Sequence, residues 1–141
     1  MSEEYSIQFM DTPDDSVWNV VGWGLHHYNI QQAGDPQSQP LCFVLRSPRQ
    51  ELAGGLIGKT HWGWLYIDLL FVPEELRGCG YGHRLLQAAE DEARKRGATH
   101  AYLDTFSFQA PDFYIRHGYQ VFGTLNDFPP GHQHYFLTRQ L

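Results

Sequence analysis

Apolar positions along the 141-residue chain switch between a helical period and a strand period, and the switches mark the elements. Residues 7–10 read as a short extended start, ended by Asp11-Thr12-Pro13. Asp14, Asp15 and Ser16 offer N-cap chemistry for a helix that carries Val17, Val21, Leu25 and Tyr28 on one face. Gly22 and Gly24 weaken that helix by about 1 kcal/mol each, so its packing must compensate. Residues 33–40 are loop by composition, 41–46 a strand and 47–50 a turn around Pro48. Two longer strands follow, 52–61 and 64–72, with Trp62-Gly63 suited to a hairpin and Pro73 ending the second.

The clearest helix is 80–96. Leu85, Leu86, Ala88, Ala89 and Ala93 form its apolar stripe, and Glu90, Asp91, Glu92, Arg94, Lys95 and Arg96 are expected to face water. Gly97 then supplies the C-terminal cap. A strand (100–105), a short helix (110–117), a break at Gly118, a strand (119–125), a Pro/Gly loop (126–133) and a last strand (135–139) complete the order β-α-β-β-β-α-β-α-β-β. With no internal repeat and no linker, the expectation is one α+β domain over residues 1–141.

Composition narrows the function classes. Hydrophobic residues are 42% and charged residues 18%, so a packed core is expected and disorder is not. Sixteen acidic residues against ten basic ones leave a net charge of -6, which disfavours a phosphodiester partner and so argues against nucleic-acid binding. Cys42 and Cys79 are too few for a thiolate zinc site; Cys42 reads as a core residue, and both read as free thiols of a reducing compartment. Met1-Ser2-Glu3-Glu4 precedes no apolar signal region, and no apolar run approaches the ~18 residues that span a bilayer. A cytoplasmic protein without a membrane association is expected.

Chemistry concentrates in Val72-Pro73-Glu74-Glu75-Leu76-Arg77-Gly78-Cys79-Gly80-Tyr81-Gly82-His83. A strand ends, an acidic loop follows, and alternating glycines open the strongest helix. Glycines let a backbone approach a ligand closely, and the first amides of a helix are unsatisfied donors at the positive end of its dipole. The combination suits a diphosphate. The ATP-type loop is excluded because no Lys-Ser/Thr follows, and the dinucleotide fingerprint because His83 stands where its third glycine belongs.

The spacing of Arg77, Gly80 and Gly82 instead resembles the [QR]-x-x-G-x-[GA] loop of the GCN5-related N-acetyltransferases (GNAT). Upstream, Leu69-Leu70-Phe71-Val72-Pro73 resembles the family's fourth strand. Downstream, Phe113-Tyr114-Ile115-Arg116-His117-Gly118-Tyr119 is similar to its hydrophobic-Tyr-x-x-x-Gly-aromatic signature. The resemblance is firm from about residue 64 to 124. It implies the GNAT fold, a splayed mixed β-sheet flanked by helices, with acetyl-CoA as co-substrate, an amine acceptor and no metal. Backbone groups of Leu70, Phe71 and Val72 would bond the pantetheine amides, Arg77 belongs to the same cofactor-binding segment, and amides of Gly78, Cys79, Gly80, Tyr81, Gly82 and His83 would hold the diphosphate. Seven residues before the motif tyrosine the family often has an Asn; Ser107 stands there, and Gln109 or Ser107 would replace it.

Acetyl transfer to an amine needs a neutral nitrogen and a proton for the departing thiolate. Tyr114 matches the family's general acid. For the base, the resemblance points to Asp68, a carboxylate in the apolar run Leu65-Tyr66-Ile67-Asp68-Leu69-Leu70-Phe71, with Asp104 on the next strand ranked second. Asp68 in that run must be paired, wet or at an edge. His132 and His134 alternate and so share a strand face, lining the acceptor mouth, relaying protons or simply exposed. His26 and His27 point about 100° apart on their helix and make no metal pair. Cys79 reads as a bystander. The expected activity is acetyl-CoA-dependent N-acetyl transfer to a primary amine of a small molecule, by direct attack in a ternary complex. A protein or peptide acceptor and a non-catalytic acyl-CoA sensor are the alternatives. The negative charge favours a cationic acceptor. Family members often dimerise, and for a homodimer the edge formed by residues 123–141 is the expected contact.

Overall fold

The computed structural model describes residues 3–141, which form two compact units, one reaching Pro36 and the other Gln37–Leu141. The first unit is built on α1 (Asp15–Ala33). Asp14 caps it, its carboxylate accepting from the Val17 amide at 3.1 Å and from Ser16 Oγ at 2.5 Å. These bonds, the serine's first, lower the Asp14 pKa below the usual carboxylate range. Gly34, at φ 81°, closes the helix by donating to the Ile30 carbonyl. No α1 residue is buried, and Trp18, Val21, Leu25 and Tyr28 are exposed. The expected strand at 7–10 does not form; residues 3–10 have no regular structure.

The second unit is a six-stranded mixed sheet. Its strands are β1 (Gln39–Arg46), β2 (Leu52–His61), β3 (Trp64–Phe71), β4 (His100–Phe106), β5 (Gln120–Asn126) and β6 (Gln133–Gln140), in the spatial order β1-β2-β3-β4-β6-β5. The β2–β3 hairpin turns on Trp62 (φ 47°) and Gly63 (φ 74°), the paired left-handed conformation that matches strand twist in a two-residue loop. β3 and β4 are parallel, joined through α2 (Tyr81–Lys95). A short helix, α3 (Pro111–Arg116), links β4 to β5.

Alternation along the strands sends Leu56, Leu65, Ile67, Ala101, Leu103 and Leu137 into one core with Leu85, Leu86, Ala89 and Ala93 of α2. The two alanines let the helix lie close to the sheet. Gly58 on β2 serves the same closeness within the sheet: a Cβ there would sit 2.3 Å from the Tyr66 carbonyl oxygen. Two expectations are corrected here. Cys42 is exposed, because its position on β1 faces away from α2. Glu90 is buried at 4% exposure, accepting from the Tyr119 hydroxyl at 2.8 Å and from Arg139 Nη1 at 3.0 and 2.9 Å. Its helical stripe is wider than the apolar residues alone indicate, since two donors arrive from distant sequence. Among the described residues, no helix is long and apolar enough to cross a membrane.

Candidate active site

The sheet opens where β3 leaves β4. Their parallel pairing runs from Trp64↔His100 to Ile67↔Leu103 and stops. Beyond it, Leu69, Leu70 and Phe71 stay on β2, while Asp104, Thr105 and Phe106 stay on β6. Two facing strand edges are left with backbone groups unpaired across the gap, a slot for an extended arm carrying amides. Asp68 lies at the point of divergence. The β2–β3 register passes from Ile57↔Leu69 to Gly58↔Ile67, so Asp68 is the extra residue of a β-bulge. It is exposed and makes no ion pair among the described residues, which is how a carboxylate survives in an apolar strand.

At the end of the slot, a 3-10 turn (Glu74–Leu76) leads into the glycine loop. Arg77 turns back, its Nε donating to the Val72 carbonyl at 3.0 Å, and so holds the loop to the strand end. Gly78 (φ 79°) and Gly80 (φ 86°) adopt the left-handed conformation, and a Cβ on either would meet no atom within 4 Å. Gly80 is the N-cap of α2 and no side chain caps the helix, so the amides of Tyr81, Gly82 and His83 keep their donor capacity. Open space above uncapped amides at a helix N-terminus fits a diphosphate.

His83 brings a partner that sequence reading missed. Its Nδ1 lies 2.7 Å from His117 Nε2, and His117 Nδ1 lies 2.7 Å from the Phe113 carbonyl. A carbonyl only accepts, so His117 Nδ1 carries a hydrogen, and Nε2 of the neutral ring then accepts from the Nδ1–H of His83. Adjacent α3 carries Tyr114, buried at 9% exposure against Tyr119 and Phe113. Burial pushes its phenol up to about 12, so the hydroxyl keeps its proton throughout the neutral range. Gln109 and Ser107 shape the turn before α3: Gln109 Oε1 accepts from Thr105 Oγ1 at 2.8 Å and the Phe106 amide at 2.9 Å, and Ser107 Oγ accepts from the Gln133 amide at 3.0 Å.

The sheet face away from α2 carries an aromatic carpet. Trp64 stacks on His100 at 4.6 Å, Tyr66 on Tyr102 at 4.8 Å and His134 on Phe136 at 4.8 Å. Within it, His134 Nε2 lies 2.8 Å from Asp104 Oδ2, and the Tyr66 hydroxyl donates to Asp104 Oδ1 at a long 3.4 Å. Burial first, then the neighbouring Asp104 and Asp68 charges, raise Tyr66 to about 12. His132 and His134 part company: β6 begins at Gln133, leaving His132 exposed in the turn beside Phe108 while His134 is buried. The alternation of the two histidines was legible in sequence, whereas the Asp104 partnership needed the β4–β6 register. Among the described residues, no group of His, Cys, Asp or Glu is arranged to hold a metal ion.

The model of the Acetyltransferase (GNAT) family matches residues 3–119. The chain belongs to this family. The acetyltransferase is 40% identical over 130 residues to Acetyltransferase Atu2258 of Agrobacterium fabrum, covering 92% of this chain and 95% of that one. It is 45% identical over 94 residues to the Blasticidin-S acetyltransferase of Streptomyces morookaense, covering 66% and 69%. The crystal structure of an acetyltransferase from Bacillus cereus superposes with a TM-score of 0.87 at 30% identity, over 95% of this chain and 98% of that one. A Bacillus anthracis structure in complex with acetyl coenzyme A shares the fold, with a TM-score of 0.63 and 18% identity over 72% and 62% of the two chains. The chain is therefore an N-acetyltransferase that uses acetyl-CoA, and the splayed sheet expected from the sequence is present.

The glycine loop gives a direct check on the cofactor's place. Gly80→Ala should raise the acetyl-CoA Kd about tenfold, roughly 1.4 kcal/mol. Gly97→Ala is the control: Gly97 has φ 88° and equally open space, but at the far end of α2. Equal acetyl-CoA affinity in the two variants, read by calorimetry, would place the diphosphate elsewhere.

Proposed function

We propose that the chain transfers the acetyl group of acetyl-CoA to a primary amine of a small cationic molecule, by direct attack in a ternary complex. The observation that carries this reading is the slot between β3 and β4, opening at the Asp68 bulge onto an aromatic and acidic sheet face. Backbone groups of Leu70, Phe71 and Val72 hold the pantetheine arm. The Val72 carbonyl, already bonded to Arg77, keeps one lone pair for it. Amides of Gly78, Cys79, Gly80, Tyr81, Gly82 and His83 hold the diphosphate, and Gln109 with Ser107 borders the arm. Holding amine and thioester together removes much of the entropic barrier. Tyr114 donates its proton to the leaving sulfur. Asp68, exposed at the mouth, draws in a cationic amine and is the carboxylate to which its proton can pass.

A small acceptor is supported by the printed substrate of a relative: the 45% identical Streptomyces protein is named for blasticidin S. The negative charge of the chain favours a cation in the same way. Both cysteines are free, in keeping with a cytoplasmic location.

The test is a calorimetric titration with acetyl-CoA, with dephospho-CoA and ATP as controls, followed by thiol release with a panel of amines. Blasticidin S, spermidine and lysine-containing peptides belong in the panel. Saturable acetyl-CoA binding and turnover with a small amine are expected. Turnover confined to peptides would move the acceptor to proteins, and binding without any turnover would leave a sensor.

A further inference from the structure

We propose that His117 is a positioning residue for Tyr114: its hydrogen bond to the His83 side chain holds α3 against the first turn of α2 and so sets the acid relative to the cofactor. The proposal rests on the reading above of Tyr114 as the acid and of the α2 turn as the diphosphate site, and deepens it. The diphosphate and the thioester stand at opposite ends of the pantetheine arm. A protein that grips one end and protonates the other needs the two gripping elements fixed to each other.

Left to itself, α3 does not hold such a place. It is six residues long and has no side-chain N-cap. Helices so short are not stable alone, so their position is set by what they pack against. Tyr114 meets Tyr119 and Phe113 edge-on, at 5.9 and 5.1 Å between ring centroids. Those contacts bury the ring, but apolar packing is non-directional. A hydrogen bond fixes distance and angle.

His83 and His117 supply one. His83 is the third residue of α2, and His117 is the C-cap of α3, three residues after Tyr114. Their rings meet at 2.7 Å between His83 Nδ1 and His117 Nε2. The His117 ring is itself braced: its Nδ1 donates to the Phe113 carbonyl at 2.7 Å, and its centroid lies 4.5 Å from that of the Phe113 ring. Phe113 in turn reaches the same turn of α2, where a Cβ on Gly82 would stand 3.4 Å from two of its ring atoms. Gly82 and His83 on one helix, with Phe113 and His117 on the other, thus clamp α3 to α2 through residues that flank Tyr114 in sequence.

The bond has a defined polarity. With the His117 Nδ1 hydrogen committed to a carbonyl, the neutral ring accepts on Nε2, and His83 carries its hydrogen on Nδ1. Both rings are therefore held in the Nδ1–H form. His83 then serves both ends of the cofactor. Its backbone amide belongs to the uncapped turn offered to the diphosphate, and its side chain grips the helix that carries the acid.

The test compares His117→Ala, which deletes the bond, with His117→Gln, whose amide oxygen can accept where Nε2 stood. A hydrogen bond of ordinary net worth corresponds to about tenfold in rate. With the amines that the wild type acetylates, His117→Ala should therefore lose about tenfold in kcat and keep its acetyl-CoA KM within about twofold. His117→Gln should recover kcat to within about threefold of wild type. In a Tyr114→Phe background, His117→Ala should cost under about twofold more, because the acid it positions is already gone. In parallel, nitrogen spectra of the ¹⁵N-histidine wild type at about pH 8.5, where an imidazole is neutral, should show His83 and His117 both as Nδ1–H tautomers, a reading independent of whether any variant folds. An unchanged kcat in His117→Ala, an equal loss in His117→Gln, the same tenfold loss in the Tyr114→Phe background, or an Nε2–H tautomer at either histidine overturns the proposal. A Tyr114→Phe variant as fast as wild type overturns the acid itself, and the positioning role with it.

Discussion

Tyr114→Phe should bind acetyl-CoA as the wild type does and turn over about 10²–10³-fold more slowly, the usual weight of a positioned acid. The ring is packed against Tyr119 and Phe113, so phenylalanine fills the same volume and the fold is kept. What is lost is one hydroxyl and the proton it can donate, while the ring contacts stay in place. The pH dependence has a definite sign. A donor must be protonated, and burial holds Tyr114 near 12, above the ordinary phenol near 10. The wild-type kcat should accordingly show no alkaline decline between pH 7 and 10 from this group. Steady-state kinetics with thiol detection reads both effects. An unchanged kcat in the variant would remove Tyr114 from the reaction.

Glu90→Ala should lower stability by about 2–4 kcal/mol, which in a chain of this size is a thermal midpoint lower by roughly 10 °C. Glu90 ties three elements together: α2, the segment before β5 through Tyr119, and β6 through Arg139. Removing the carboxylate strands a guanidinium that is 28% exposed and a phenol that is 1% exposed. Partial solvation of Arg139 keeps the loss below that of a fully sealed pair. Glu90→Gln retains the shape and an acceptor for Tyr119, so its loss should be smaller. Burial first, and then the Glu90 charge, hold Tyr119 protonated far above its ordinary range. Stability from this phenol is fully present below about pH 10, where the unfolded chain titrates, and falls as pH rises beyond. Thermal unfolding of the three proteins at pH 7 decides the matter, and a shift of under about 2 °C for Glu90→Ala would show the cluster to be inessential.

Most of the element order was legible because local patterns are strong where burial is one-sided. The α2 stripe and the 52–61 and 64–71 strands were read within a few residues of their ends. The glycine loop was legible for a different reason: glycines at fixed spacing answer to backbone geometry, and Gly78 and Gly80 do take positive φ. Residues 7–10 misled because a short apolar run becomes a strand only if another edge pairs with it. Cys42 and Glu90 misled because residue type and helical phase do not report which neighbours arrive from distant sequence.

By itself, then, the sequence determined the family and located the glycine loop and the candidate acid Tyr114, since each is a local spacing constraint. The tertiary structure alone decided where the strands part, that Asp68 is a bulge residue, and that Asp104 meets His134 across the β4–β6 pairing. Those facts depend on strand register between segments some thirty residues apart. Register is set by packing across the whole sheet, and no short window of sequence carries it.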